Sequence, residues 1–210
     1  MQFLAMITML TDHVGKSFFP EQLPWQLIGR IAFPIYAYCI VTGYRHTRNL
    51  KRYMKRLFAI ALISQLPFMI VFNTWGINVV GTLLISLIVI AVLDKYKNSA
   101  YAFFLLIPAA GIVLEAGSFD YGVYGLLLVL IYRYSEGYRT IFWHGALNAL
   151  FILIGDLYLS AFNLISTLGI VLAPKLLAFF DRIKIPRWLW RSFYPAHLIA
   201  LAIAVQWLKE

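Results

Sequence analysis

Charged residues and cysteine are both scarce in this chain of 210 residues. Charged side chains make up 13% of the sequence against 62% for hydrophobic ones, and the mean hydropathy is +0.78. These values exclude a soluble domain of ordinary composition and leave no stretch for a separate soluble domain. The single cysteine, Cys39, excludes a disulfide framework and lies in an apolar run, where we expect a small buried side chain.

Acidic residues are half as frequent as basic residues, with 9 Asp and Glu against 18 Lys and Arg. In a soluble protein this excess would suggest a nucleic-acid partner. Here the basic residues concentrate in short connections between apolar segments, where membrane topology and anionic lipids account for them. We therefore expect membrane lipids, and no nucleic acid, as partners.

The apolar segments predict an all-α, polytopic membrane helical bundle that forms one integral-membrane domain over residues 1–210. A helix crosses a bilayer with roughly 20 apolar residues, so the chain has room for about eight to ten spans. Gly, Pro and charge between the segments indicate nine helices. The predicted helices are Phe3–Phe19, Trp25–Tyr44, Leu57–Phe72, Val79–Leu93, Tyr101–Leu114, Tyr121–Tyr134, Thr140–Ile154, Tyr158–Phe180 and Leu189–Leu208.

The connections between the predicted helices alternate in charge. Arg45–Arg56 carries basic residues and no acid, whereas Gly15–Pro24 is nearly neutral and Asn73–Asn78 is uncharged. The positive-inside rule places the basic connections in the cytoplasm, the N-terminus inside and the C-terminus outside. The first segment lacks the basic start and the cleavage site of a signal peptide, so we expect it to be retained as a helix.

Five ionisable side chains lie within segments apolar enough to cross a bilayer. A titratable group at that depth costs at least a few kcal/mol, so it is usually paired or used in function. No two histidines have a metal-ligand spacing within one helix and the sequence contains one cysteine, so no metal site is predicted. The five residues are Asp12, His13, Arg30, His144 and His197.

Asp12 and His13 lie in the outer half of the first predicted helix. Neighbouring residues on a helix point about 100° apart, so Asp12 cannot orient His13 directly and needs its own partner. That partner is either Lys16, four residues later, or Arg30 at a comparable depth on the second helix. Arg30 could instead extend to the outer headgroups. Pro34 removes the hydrogen bond to the Arg30 carbonyl and should bend the helix there.

Other polar residues recur at helical spacings, and each set lies on one face of a predicted helix. Such sets are contacts between helices in some membrane proteins and ligand sites in others. The two later histidines are expected nearer the cytoplasmic side than His13. The sets are Asn78 with Thr82 and Ser86, His144 with Asn148, and Tyr194 with His197.

The basic connection Arg45–Arg56 has two interpretations. It is a topology signal that also contacts anionic lipids, or it captures a phosphate-rich cytosolic ligand. The second interpretation rests on the forked guanidinium groups, which suit diphosphate and phosphate monoester groups.

Together these residues resemble the TraX family, the membrane acetylases first associated with N-terminal acetylation of conjugative pilin. The resemblance covers nearly the whole chain and is carried by the order and spacing of short motifs. It implies an acetyltransferase in the bacterial plasma (inner) membrane, with acetyl-CoA as the acyl donor. The motifs are Thr11-Asp12-His13, Gly29-Arg30 with Phe33-Pro34, Arg45, Thr47-Arg48, Arg56-Leu57, Gln65-Leu66-Pro67, Asn78 with Thr82, Asp120-Tyr121-Gly122 and Tyr194-Pro195-Ala196-His197-Leu198.

In an acyltransferase of this kind, His13 is the first candidate for the general base and His197 the second, as a relay or a transient acyl carrier. Asp12 and Arg30 would fix the geometry and field, and Arg30 or Asn78 would donate to the developing oxyanion. The other candidates form two groups. The CoA phosphates would meet Arg45, Arg48, Arg52 or Arg56, and the acceptor side or pocket would be lined by Asn78, Asp120, Tyr121, His144, Asn148 and Tyr194.

The sequence leaves the acceptor open between a peptide N-terminus, a glycan and a lipid. Two alternatives belong to other functional classes, a proton-coupled small-solute transporter and a non-catalytic membrane scaffold, because buried His, Asp and Arg also form proton relays. An acyltransferase must bind acetyl-CoA, which neither alternative requires.

Overall fold

The computed structural model describes residues 1–154, 162–175 and 184–208, and these ranges are all-helical apart from their connections. Extended pairing within them is limited to a single bridge between Ile77 and Phe119. The helices are α1 (Gln2–Phe18), α2 (Leu23–Gly29), α3 (Ala32–His46), α4 (Leu50–Phe72), α5 (Val79–Lys95), α6 (Ala100–Ala116), α7 (Gly122–Tyr134), α8 (Tyr138–Leu153), α9 (Asn163–Leu172) and α10 (Arg187–Trp207).

Eight of the nine predicted segments coincide with helices of the described residues, and the second of these corresponds to two helices. The ends of the eighth predicted helix, Tyr158 and Phe180, lie outside the described residues, and α9 occupies its central part. All-helical architecture is therefore confirmed for the described part of the chain.

Helix α4 begins earlier than its hydropathy predicts, at Leu50 and not at Leu57. Asn49 caps it, since its side-chain oxygen accepts a hydrogen bond of 2.8 Å from the Arg52 amide. Hydropathy does not register this cap, and the basic residues that follow it were predicted to be a connection. Much of the basic segment is consequently the first two turns of a helix.

The second predicted helix is broken at Arg30 and Ile31, between α2 and α3. Pro34 has no amide hydrogen to donate to the Arg30 carbonyl, so the helical ladder fails at that level. The break lies where the proline predicts it.

By length and composition, two helical stretches of the described chain can cross a membrane. These are Leu23–His46, taken through the break, and Leu50–Phe72. The outer face of α4 is apolar as well, because Phe58, Leu62 and Leu66 are each at least 59% exposed. A continuous exposed apolar face of this kind is typical of contact with lipid.

The main core is formed by α3, α5 and α7, where Leu87, Ile90 and Leu126 are fully buried. Helix α1 packs against α2 and α3, and α10 packs against α4 and α1. The first and last described helices therefore lie side by side, with a cavity next to them.

Candidate active site in a cavity between the helices

A cavity of about 640 Å³ lies between α1, α3, α4 and α10. Its wall on α1 runs from Gln2 to Lys16, which at 1.5 Å per residue corresponds to roughly 20 Å along the helix. Cavities of about 300–1,000 Å³ commonly hold small organic ligands. One end, the basic mouth, is lined by His46, Arg56, Arg187 and Arg191, and the other, the polar end, by Asp12, His13, Lys16, Asp120, Tyr121 and Tyr194.

His13 and His197 meet at the polar end. Nδ1 of His13 is 2.8 Å from Nε2 of His197, and both side chains are buried. The prediction that His197 lies nearer the cytoplasmic side is wrong, because α1 and α10 bring the two residues to one level. Each lies a similar distance into its helix, His13 eleven residues after Gln2 and His197 ten after Arg187.

The hydrogen bonds assign the protons of this pair. Nδ1 of His197 lies 2.7 Å from the Phe193 carbonyl, which can only accept, so Nδ1 carries the proton. Nε2 of a neutral His197 is then an acceptor, and Nδ1 of His13 donates to it. Neutral His13 is left with an unprotonated Nε2 that no described residue engages, on a side chain that lines the cavity.

Asp12 forms its ion pair with Lys16 and not with Arg30. Oδ2 of Asp12 lies 2.6 Å from Nζ of Lys16. Lys16, four residues after Asp12, is one of the two partners that the sequence predicts. The other oxygen, Oδ1, has no hydrogen-bond partner among the described residues and packs against Gly29, where a Cβ would lie 2.1 Å from it. Glycine thus lets α2 approach the Asp12 carboxylate closely.

Arg30 turns toward the start of α7. Its guanidinium group lies close to the Tyr121 hydroxyl, whereas its buried Nε has no hydrogen-bond partner among the described residues, and Arg30 does not line the cavity. Tyr121 has a φ of 64° and its ring stacks on Phe33 at 3.8 Å between centroids. A left-handed conformation at a bulky residue is strained and is often found at functional sites.

Asn78 does not reach the cavity. Its Nδ2 donates to the Ala61 carbonyl and to Oε1 of Gln65, both at 2.8 Å, and its Oδ1 accepts from the Val80 amide. Both polar atoms of the side chain are therefore engaged, in capping α5 and in closing the connection from α4. The expected roles of Asn78 and Arg30 as oxyanion donors therefore have no support in the geometry.

The basic mouth is built differently from the sequence prediction. Arg56 lines it, together with Arg187 and Arg191 from the start of α10. Arg187 and Arg191 are not among the predicted phosphate ligands, although their spacing of four residues places them on one helix face.

The other predicted phosphate ligands lie outside the cavity. Arg45 donates to the carbonyls of Tyr132 and Arg133 at the end of α7, at 3.4 and 3.1 Å. Arg48 and Arg52 are exposed and do not line the cavity. Arg56 is the member of the predicted group that the structure places at the mouth.

His144 and Asn148 belong to a separate buried network and do not line the cavity, contrary to the prediction. Tyr124 donates to Oδ1 of Asn148 at 2.8 Å, so Nε2 of His144, at 3.0 Å, must donate to the Tyr124 oxygen. Nδ1 of His144 then accepts from Thr167 at 2.6 Å. Both ring nitrogens are engaged, which makes His144 a packing residue with no free lone pair.

Within residues 1–154, 162–175 and 184–208, no three His, Cys, Asp or Glu side chains gather closely enough to hold a metal ion.

Comparison with known proteins gives a consistent assignment. The chain matches the family model described as TraX protein over residues 1–205. It is 28% identical over 238 aligned positions to a probable fimbrial assembly protein FimC, serogroup H1, of Dichelobacter nodosus, and the alignment covers all of this chain and 96% of that protein. No solved structure matches the chain.

Proposed function

This chain belongs to the TraX family, and we propose that it is a membrane-embedded acyltransferase that moves an acetyl group from acetyl-CoA to an acceptor amine or hydroxyl. The observation that carries the proposal is the unengaged Nε2 of His13 in the wall of a cavity whose other end is basic. A base and an anion-binding mouth at opposite ends of one cavity suit a donor with a reactive thioester and distant phosphates.

We propose nine membrane spans in the bacterial inner membrane, with the N-terminus inside. The alternation of charge in the connections supports this arrangement. The basic mouth then faces the cytoplasm, since Arg56, Arg187 and Gln2 all line that end of the cavity. The polar end lies toward the outer half of the bilayer.

Acetyl-CoA would enter through the basic mouth. Its phosphates would meet Arg56, Arg187 and Arg191, and its pantetheine arm would extend along the cavity toward His13. The cavity length of roughly 20 Å along α1 allows this separation.

The chemical step uses the proton assignment of the histidine pair. The acceptor nitrogen or oxygen attacks the carbonyl carbon of the thioester, and Nε2 of His13 takes the acceptor proton. The tetrahedral intermediate collapses with cleavage of the carbon–sulfur bond, and the leaving thiolate receives the proton from His13. His197 holds His13 in the required tautomer, and the Phe193 carbonyl holds His197.

The acceptor is a component of the cell envelope, either a peptide N-terminus, a glycan or a lipid. The relative described as a probable fimbrial assembly protein favours an acceptor connected with surface appendages.

Cys39 provides a direct test, because the chain has a single cysteine and that residue lines the cavity. Acetyl-CoA should slow alkylation of Cys39 by a maleimide in the purified protein, and the protein should consume acetyl-CoA when an envelope extract is added. Cys39→Ser supplies the labelling background. An unchanged alkylation rate together with no consumption of acetyl-CoA would overturn the proposal and favour the transporter.

The topology is tested with reporters fused to truncated chains. Fusions after Arg48, Lys97 and Lys184 should report the cytoplasm, and fusions after Trp75 and Ser118 the outside. A cytoplasmic signal after Trp75 would contradict the nine-span arrangement.

A further inference from the structure

Lys16 faces the cavity beside His13. Met9, His13 and Lys16 lie at successive positions of four and three residues on α1, and all three line the cavity. Residues three apart on a helix have their Cβ atoms about 5–6 Å apart, so the base and the ammonium group project from neighbouring points of one wall.

The ammonium group is held in place and still accessible. Its partner is Oδ2 of Asp12 at 2.6 Å, and the Lys16 side chain is 32% exposed whereas the Asp12 side chain is 8% exposed. An ammonium group has three protons, and the bond to Asp12 uses one of them. Two donors remain for a group that enters the cavity.

The cavity needs such a donor. In the reaction proposed above, the carbonyl oxygen of the thioester becomes an oxyanion when the acceptor attacks, and that charge requires a positioned donor. Asn78 is engaged in capping α5, Arg30 does not line the cavity, and both nitrogens of His197 are engaged.

We infer that Lys16 is the oxyanion donor of this site and that Asp12 is a positioning residue that holds the Lys16 ammonium group next to His13. The inference rests on the proposed acyl transfer. His13 takes the acceptor proton on one side of the reacting carbon, and Lys16 donates a hydrogen bond to the oxygen on the other. Lys16 gives up no proton in this step.

The test must allow for the buried Asp12, which loses its counter-charge when Lys16 alone is replaced. The double variant Asp12→Asn with Lys16→Gln removes both charges and keeps side chains of similar size. We expect its turnover of acetyl-CoA to fall about 10²–10³-fold, the usual effect of removing one oxyanion donor, with the Kd for acetyl-CoA unchanged. Lys16→Arg, which keeps the charge, should stay within about tenfold of the wild type, in accord with a charge-based role.

A second measurement separates this role from simple packing. A CoA trifluoromethyl ketone forms a tetrahedral hydrate at the acyl position, whereas S-ethyl-CoA has no carbonyl oxygen. The double variant should lose affinity for the ketone about 10²–10³-fold and bind S-ethyl-CoA like the wild type.

The outcomes are distinguishable. Equal affinities of the double variant and the wild type for the ketone, or equal losses for both probes, would overturn the role of Lys16 while leaving acyl transfer intact. A wild-type protein that neither consumes acetyl-CoA nor binds S-ethyl-CoA would instead overturn the proposed function.

Discussion

His13 and His197 lie 184 positions apart in the chain and are joined ring nitrogen to ring nitrogen at 2.8 Å. Of the three buried histidines, only His13 keeps a nitrogen that no described residue engages. The hydrogen bonds therefore distinguish three similar residues: His13 as the proposed base, His197 as its proposed positioning partner, and His144 as a packing residue.

Replacing His13 should affect chemistry more than folding. We expect His13→Ala to lower turnover of acetyl-CoA by about 10²–10⁴ and to leave its binding unchanged, because a positioned general base contributes that much. Turnover and isothermal titration measure the two effects. His13→Gln keeps hydrogen bonding without the proton transfer, so its loss should be similar.

His144→Ala is the matched control, since it removes a histidine from the separate network. It should lower the thermal unfolding temperature and leave turnover per folded molecule near that of the wild type. Loss of turnover in His144→Ala with none in His13→Ala would reverse the two assignments.

The arginines of the basic mouth should determine affinity for acetyl-CoA. Arg56→Gln and Arg191→Gln should each weaken binding by about 1–3 kcal/mol, the value of a charge-assisted contact, and the affinity should fall as salt is added. Arg48→Gln and Arg52→Gln have the same change of charge outside the cavity and should have a smaller effect. A larger loss from Arg48→Gln would restore the interpretation drawn from the sequence.

Gly29→Ala should separate α1 from α2. The added methyl group would lie 2.1 Å from Oδ1 of Asp12 and 2.2 Å from its Cβ, so the helices must move or the carboxylate must turn. Overpacking of this kind costs about 1–3 kcal/mol. Gly145→Ala on α8 has nothing within 4 Å of the new Cβ and should leave the unfolding temperature unchanged or raised. Equal effects of the two substitutions would contradict the close approach at Gly29.

Asp94 should contribute an acid-sensitive part of the stability. It follows the proposed span Val79–Leu93, and its Oδ2 accepts from Nη2 of Arg133 at 2.7 Å. Burial raises the pKa of Asp94, but hydrogen bonds from Arg133, Tyr44 and Tyr134 outweigh burial and hold it below its usual value. The stabilisation is thus present above the unfolded pKa of about 3.9 and is lost as the pH falls through the lower folded pKa.

Asp94→Asn should therefore lower stability at pH 7 by up to about 1 kcal/mol and reduce the dependence of stability on pH below about 4. Unfolding in detergent at a series of pH values measures both effects. Glu136→Gln, at an exposed acid, should change neither, and an unaltered acid profile in Asp94→Asn would show that the pair is not stabilising.

The sequence predicted the positions of the helices well, because apolar runs and their Gly, Pro and charge boundaries are local signals. The break at Arg30 also follows from a local cause, the missing amide of Pro34. The start of α4 was not predicted, because a hydropathy pattern assigns a basic helical turn to a connection between helices. The residue that could have indicated the start of α4 is Asn49, which caps the helix.

The composition of the site was less predictable, because it depends on which distant residues meet. The sequence allowed two partners for Asp12. In the structure Asp12 pairs with Lys16, because Arg30 lies toward Tyr121. Arg187 and Arg191 reach the mouth only because α10 packs beside α1. The choice between Lys16 and Arg30, and the position of two arginines of α10 at the mouth, both depend on how the helices pack, which spacing within one helix does not reveal.

The bonds between Gln65 and Asn78 join groups only 13 positions apart, so the hairpin of α4 and α5 can close while the rest of the chain is still being synthesised. The contact between His13 and His197 has to wait until α10 has been made and inserted. A chain interrupted before α10 could thus have its early hairpin formed and would still lack His197, the hydrogen-bond partner of the proposed base His13. Completion of the proposed site therefore requires the last described helix, and chains that end before α10 should not carry the proposed acetyl-transfer activity.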